Sequence, residues 1–398
     1  MKGPTPRRLQ QFVWRHCRLA AYFARPGDGR QRPQILAGQL LWAQLVGQVL
    51  RVWSFHAIEA LVHSTARRAL GVTRRFGDDA LAYFTERLDP APTRQALVQV
   101  VRRAKRNKAF EDSRFIGLAL DGTSAGRSEQ AHCALCHPIR DTTHHIIGHR
   151  HHLSLLSVVG VGLTLPLDIE PYGPGDSEYA ASQRLLHRAI GQLGRRFADY
   201  VVADGAYATA PFLHAAGDLG LRIVARLKGN LPELAQAVQA RFGSMAPTLT
   251  GHVGPDRVEL WDADDFDPWT TLRWSTVRVV RYRQYKPNGT VVEADWLTDW
   301  PTRQVSALSL YRMAKSRWEI ENQGFNDAKT RYGMAHIRHH QANSVLVSWL
   351  LLALAMTIER LYRQRYLHRG PHPVYPAITL VRLLWLSLGS PHARHDPG

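Results

Sequence analysis

The chain has 398 residues, 45% hydrophobic and 21% charged, ordinary proportions that exclude a disordered or fibrous protein. At roughly 150 residues per domain, the length suggests two to three domains with ample core. The charge is uneven in sign: 51 Lys and Arg against 33 Asp and Glu leave +18, which favours a polyanionic partner, nucleic acid first.

Most of those cations are Arg, which suits phosphate recognition, although a coding bias toward Arg would also raise the count. Three Cys exclude a disulfide scaffold and point to a reducing compartment. The opening segment MKGPTPRRLQ has charge but no apolar run, so a secretory signal is not expected. The apolar run Val345 to Met356 is short of the roughly 20 residues that cross a bilayer, and predicts a buried helix instead. A soluble, cytoplasmic protein with no membrane partner is the expectation.

Residues 1–112 hold 20 basic and 8 acidic residues, two-thirds of the net charge. Apolar spacing predicts helices over Gln34–Leu50 and Ser54–Leu70, the second burying Phe55, Ile58, Leu61 and Val62. Asp78 and Asp79 open another helix. Pro90 to Thr93 reads as a break and a cap before a helix from Arg94 to Lys105, followed by Arg106 and Lys108. The segment is expected to be a basic helical domain that binds DNA through phosphates, or else carries a solvated basic face.

The character changes near residue 114. Phe115–Leu120 predicts a strand leading to Asp121-Gly122. Leu153–Leu167 predicts a hairpin that closes at Asp168–Pro174, and Tyr179–Leu193 a helix. Tyr200–Ala203 predicts a strand leading to Asp204-Gly205, then a helix from Pro211 and a strand over Leu221–Leu227. The order is that of a mixed α/β sheet. Residues 230–303 read as β-rich, with strands over Trp274–Tyr285 and Val291–Leu297 joined at Asn288-Gly289, a hairpin turn. A long helix follows over Ser306–Arg331 and another over Ser344–Arg363. The tail from Gly370 is rich in Pro, His and Arg, and loose order is expected there.

Three groups carry chemistry. Asp121 and Asp204 each follow an apolar strand, at the sheet rim where sites form, with a glycine behind that permits a sharp turn. Two carboxylates on neighbouring strands can share a divalent cation, although Asp-Gly is also a common strand exit. On the helix, Arg317 and Glu321 are four apart and share a face, as a structural ion pair also would. Trp318 and Phe325 would anchor its other side. Glu319 is a competing acid that faces elsewhere. Glu170, Asp176 and Glu178 form an acidic patch read as a turn and helix start.

Together these residues resemble a DDE transposase of a bacterial insertion sequence, in the large group named for insertion sequence four. The resemblance covers about residues 115–355. That group's helix signature is Tyr-x2-Arg-x3-Glu-x6-Lys. Arg317-x3-Glu321 fits it; Tyr311 lies one turn before the Tyr position and Lys329 one residue past the Lys position. The resemblance implies a ribonuclease-H-like mixed sheet with a β-rich insertion, plus an all-helical N-terminal domain. The implied units are residues 1–112 for DNA binding, 113–229 for the first part of the core, 230–303 for the insertion, 304–365 for the helices with the third acid, and 366–398 for a basic flexible tail. It also implies catalytic Asp121, Asp204 and Glu321 holding two Mg²⁺ (or Mn²⁺) ions. Arg317, Lys329, Lys228, Tyr311 and Trp318 would contact DNA. The partners would be terminal inverted repeats and target DNA, bound by a homodimer at the bacterial nucleoid. No Gly-x4-Gly-Lys-Ser/Thr motif is present, and no nucleotide cofactor is expected.

A separate group is His132-Cys133-Ala-Leu-Cys136-His137, with His144, His145, His149, His151 and His152 beyond. Cys-x2-Cys is zinc-ligand spacing. Cys133, Cys136, His132 and His137 are the expected ligands of a structural Zn²⁺, if the run is more than a His-rich loop. Three other readings stand beside the transposase: a related metal-dependent nuclease, a non-catalytic DNA-binding relative, and a zinc-dependent regulator.

Overall fold

The structure is a computed structural model that describes residues 4–367 and 376–389. Seven α-helices come first, with a π-helical segment (Phe12–His16) after the first of them: α1 (Pro6–Gln11), α2 (Ala20–Ala24), α3 (Ala37–Val49), α4 (Phe55–His63), α5 (Ala66–Leu70), α6 (Asp78–Arg87) and α7 (Pro90–Arg106). The helix expected over Ser54–Leu70 is broken in two because Ser64 Oγ bonds the Leu61 carbonyl and the Ala66 N–H. Pro90 starts α7 rather than interrupting the chain, since proline is preset for a first helical position and Asp89 caps it by accepting from the Ala91 N–H. Thr93, expected as the cap, is buried inside that helix and bonds the Tyr22 hydroxyl at 2.7 Å.

Ten strands then form a single sheet: β1 (Gly117–Ser128), β2 (Cys136–Arg140), β3 (Ile146–Val159), β4 (Leu165–Tyr172), β5 (Tyr200–Ala203), β6 (Arg222–Leu227), β7 (Leu249–Val253), β8 (Asp256–Phe266), β9 (Val277–Tyr285) and β10 (Val291–Thr298). Helices α8 (Glu178–Leu193), α9 (Ala210–Asp218) and α10 (Pro232–Ser244) fall between them. The order runs β2-β3-β1-β5-β6-β10-β9-β8-β7. Strands β2 and β4 pair with successive stretches of the same edge of β3. β1, β5 and β6 are parallel, and β3 is antiparallel to β1. This is the mixed α/β sheet that the order of elements predicts.

Two turns differ from expectation. The β3–β4 connection turns at Gly160 and Gly162, both in the left-handed region that glycine tolerates. Asp168 therefore lies inside β4, not at the hairpin's close. It is buried there by ion pairs to Arg94 of α7 and Arg188 of α8. β1 does not end at Asp121 but continues seven residues beyond it along β3. The β-rich stretch also contains the helix α10, and its strands extend the central sheet through the β10–β6 pair.

Helix α11 (Ala307–Glu319) runs directly into a π-helical segment (Ile320–Asn326) and then α12 (Asp327–Thr330). Helix α13 (Ala342–Tyr366) is 25 residues long, about twice the apolar run that predicts it, and 94% of its apolar window is buried inside the molecule. Polar residues extend it within the core: Glu359 is fully buried and bonds Arg51 and Tyr332. The stretch expected as a flexible tail contains α14 (Ala377–Ser387), whose Leu380, Val381 and Leu384 are buried. Apolar residues at helical spacing order this part; the rest of that tail lies outside the described residues, apart from the end of α13. The apolar core is continuous from the N-terminal helices into the sheet, with α13 packed against α3, α7 and β4.

Candidate active site

Strand register places Asp121 and Asp204 on neighbouring strands. Ala119 of β1 pairs with Val202 of β5 in parallel, and continuing two residues sets Asp121 beside Asp204. Neighbouring strands lie about 4.8 Å apart, close enough for two carboxylates to share an ion. β5 stops at Ala203, so Asp204 is the first residue past the strand's end.

The π-helical segment supplies the third acid. Glu321 lies in it, and Arg317 precedes it on the last turn of α11. Single π turns inside α-helices are rare and concentrate at functional sites. Arg317 bonds Glu321 at 2.8 Å and lies 3.6 Å from Asp121. Its guanidinium is buried, 6% exposed, while Glu321 is 42% exposed. Arg317 thus joins the helix acid to the strand acid.

The two aspartates differ electrostatically. Burial pushes the Asp121 carboxyl up to about 6; the Gly122 N–H and Arg317 oppose that, and Glu178 and Glu321 add to it. Burial also pushes Asp204 up, but the Lys228 ammonium at 2.7 Å, the Gly205 N–H and Arg317 outweigh it and hold Asp204 below its ordinary value.

The glycines behind the acids make room. A Cβ on Gly122 would lie 1.9 Å from the Glu178 carboxylate, and one on Gly205 would lie 2.8 Å from the Lys228 side chain. Glu178 opens α8 and accepts from the Tyr207 hydroxyl at 2.8 Å, three residues past Asp204. It is a fourth acid of the site, read from sequence as a helix start. Its neighbours in that patch, Glu170 and Asp176, are held by Arg94, Arg184 and Arg188. No sequence signal pairs Glu178 with Asp121; the approach over Gly122 is made by the fold.

The other expected residues fall at varied distances. Lys228 is half exposed on Asp204. Lys329 reaches β1 and donates to Thr123 Oγ1 at 2.6 Å, and burial holds its ammonium below its ordinary value. Trp318 packs edge-on against Trp296 of β10, with the Lys315 ammonium 4.5 Å from its ring. Tyr311 is 3% exposed and packs edge-on against Tyr282 of β9. It has no surface to offer DNA, because helix and insertion strands close over it. Glu319 turns the other way and accepts from the Gly160 N–H and the Thr164 hydroxyl in the β3–β4 turn.

The cysteines converge, but with a histidine other than the expected His132 and His137. Cys133 and Cys136 face His151 of β3. Strand alternation puts His137 on the opposite face of β2, where it bonds the Tyr172 carbonyl and packs on His152. His132 is exposed and bonds Ser128 Oγ.

The acids offer oxygen donors from three elements, the donor type a divalent cation takes, and Asp204 Oδ1 is buried with no hydrogen-bond partner among the described residues. A hard cation would take up that oxygen and the charge that burial makes costly at Asp121.

A family model described as a transposase DDE domain matches residues 112–358. No curated protein matches the chain. Among solved structures, the chain is similar to a piggyBac transposase in a synaptic complex with hairpin DNA, determined by cryo-electron microscopy. The identity is 11% and the TM-score 0.48, over 99% of this chain and 82% of that one.

Proposed function

The chain belongs to the transposase DDE domain family, and from that premise we propose that it cuts double-stranded DNA at the terminal inverted repeats of an insertion sequence and joins the freed ends to target DNA. The observation that carries this reading is the convergence of Asp121 and Asp204 with Glu321 through Arg317. Asp121, Asp204 and Glu321 would hold two Mg²⁺ or Mn²⁺ ions. Such ions, when bound, supply the charge that steadies the attacking and leaving oxygens of an in-line phosphoryl transfer.

The chain's own residues do the positioning. Arg317 sets the direction of Glu321 and ties it to the strand bearing Asp121. Once the acids are neutralised otherwise, Lys228 and Arg317 can turn toward a phosphate. Lys329, beside Thr123, would meet the backbone two residues beyond Asp121. The basic helices of residues 1–112 would supply salt-dependent affinity for the flanking duplex. Two element ends must be held together, which calls for a homodimer on DNA. Exchange of phosphodiester bonds supplies the energy, so no nucleotide is required. The expected setting is the bacterial cytoplasm, on the nucleoid.

The test is incubation of the purified chain with DNA carrying the gene's own flanks, with Mg²⁺, with Mn²⁺ and with chelator. Metal-dependent cuts at both flanks, followed by joining to a second DNA, support the reading. Cuts without joining would favour a nuclease, and binding without cuts under either metal would reject both.

A further inference from the structure

A second group of metal-ligating side chains lies outside the acid cluster, and the DNA chemistry makes no use of it. Cys133 sits on the tight turn that leads into β2, closed by the Cys136 N–H donating to the Cys133 carbonyl. Cys136 is the first residue of β2 and pairs across the ladder with His151 of β3. Turn and register therefore bring three soft donors to one point. Cys133 Sγ is 3.8 Å from Cys136 Sγ and 3.3 Å from His151 Nε2, and that nitrogen is 3.6 Å from Cys136 Sγ. The edges of a tetrahedron around zinc, with bonds of about 2.3 Å to sulfur and about 2.1 Å to nitrogen, are about 3.8 Å between sulfurs and about 3.6 Å between sulfur and nitrogen.

A backbone donor also faces the sulfur of the strand cysteine: the His132 N–H donates to Cys136 Sγ at 3.4 Å. Cys136 and His151 are buried, 7% and 2% exposed. A further histidine lies close to this cluster, outside the hairpin. His340, in the stretch between α12 and α13, has its ring 4.5 Å from that of His132 and 6.3 Å from that of His151. Its Nδ1 is buried without a hydrogen-bond partner among the described residues.

We propose that Cys133, Cys136 and His151, completed by His340, hold a structural zinc ion that fastens the β2–β3 hairpin to the chain leading out of the Glu321 helix. Thiolate and imidazole donors suit zinc over the hard cations of the acid cluster. The place of the clamp gives it a role. His151 pairs with Ala125 of β1, four residues along the strand from Asp121. The next residue, Gly126, approaches Ile337 so closely that a Cβ there would lie 2.6 Å from the Ile337 side chain. The ion would hold the strand of the first acid against the segment that follows the third.

The experiment uses the full purified chain and needs no DNA. Metal analysis should find about one zinc per chain. Replacement by Co²⁺ should give the near-ultraviolet sulfur-to-metal absorption and the visible bands of a tetrahedral site. Chelator should lower the melting temperature, and zinc should restore it. Cys136→Ser should lose the ion and melt at the chelated temperature. His340→Ala should release zinc at lower chelator concentration than the parent, whereas His137→Ala should behave as the parent. If Cys136→Ser does not fold, protection of Cys133 and Cys136 from alkylation by added zinc gives the same answer. A metal-free chain with an unchanged melting temperature in chelator, a Cys133–Cys136 disulfide in the protein isolated under reducing conditions, or zinc retention unchanged in His340→Ala would each overturn the proposal.

Discussion

Asp121 carries its charge at a cost. Burial, with Glu178 and Glu321 nearby, pushes its carboxyl up to about 6 from an ordinary 3.8. The unfolded chain therefore ionises first as pH rises, and the metal-free protein loses stability from about pH 4 to about pH 6. At 1.36 kcal/mol per pH unit the loss is on the order of 2–3 kcal/mol. Asp121→Asn should accordingly raise the melting temperature in chelator at pH 7 and leave it unchanged near pH 3.5. A variant no more stable than the parent at pH 7 would contradict this environment. Glu178 acts on the same carboxyl from α8. Glu178→Gln should weaken Mn²⁺ binding, read by calorimetry, on the order of tenfold. Unaltered affinity would place Glu178 outside the site.

At the scale of elements, two acids two residues apart have separate tasks. Glu319 satisfies the Gly160 N–H and the Thr164 hydroxyl, so it locks the β3–β4 turn to α11. Glu319→Ala leaves those donors unmet and should cost about 1–3 kcal/mol in urea unfolding. Glu321→Gln should change stability little, since its carboxyl is 42% exposed, but should abolish cleavage. The reverse pattern would exchange their roles. This division was legible in part. The Arg317–Glu321 spacing follows from helix geometry, and the apolar runs before Asp121 and Asp204 mark their strands. The π-helical segment has no sequence signature of that kind. Nor does the length of β1, whose second half is polar and is held by pairing with β3. Glu178 was unreadable as a site residue for the same reason, and His151 could not be singled out among the histidines after the Cys-x2-Cys. Each reaches its cluster through a neighbouring element, Glu178 from α8 over Gly122 and His151 across from Cys136. β2, five residues that include Pro138, shows no alternation that would announce a strand.

At the scale of the molecule, +18 net charge meets a cluster of acids that alone would repel DNA. Most of the excess lies in the first 112 residues, where α7 carries a basic end that is partly spent on the core. Lys105 donates to the carbonyls of Arg196 and Phe197, and Arg102 to that of Gln192. Those cations help dock the helix on the sheet's α8 side, a use that composition does not reveal. The remaining ones should give DNA binding a steep salt dependence, with affinity falling on the order of 10³-fold between 50 and 200 mM salt. A flat response in a filter-binding titration would mean that the charge serves another partner. The middle of the sheet was legible because the first half of β1, β5 and β6 are short, apolar runs bounded by turn residues. The order in which insertion strands join it, through β10 on β6, was not, because that pairing is fixed by distant packing.

The central claim is that Asp121, Asp204 and Glu321 form one catalytic site. It is tested most directly by Asp204→Asn, assayed beside the parent for metal-dependent cutting of end-bearing DNA and, in parallel, for binding to that DNA. The account predicts cutting by the parent, none by the variant, and equal binding by both. Cutting by Asp204→Asn at the parent's rate would contradict it.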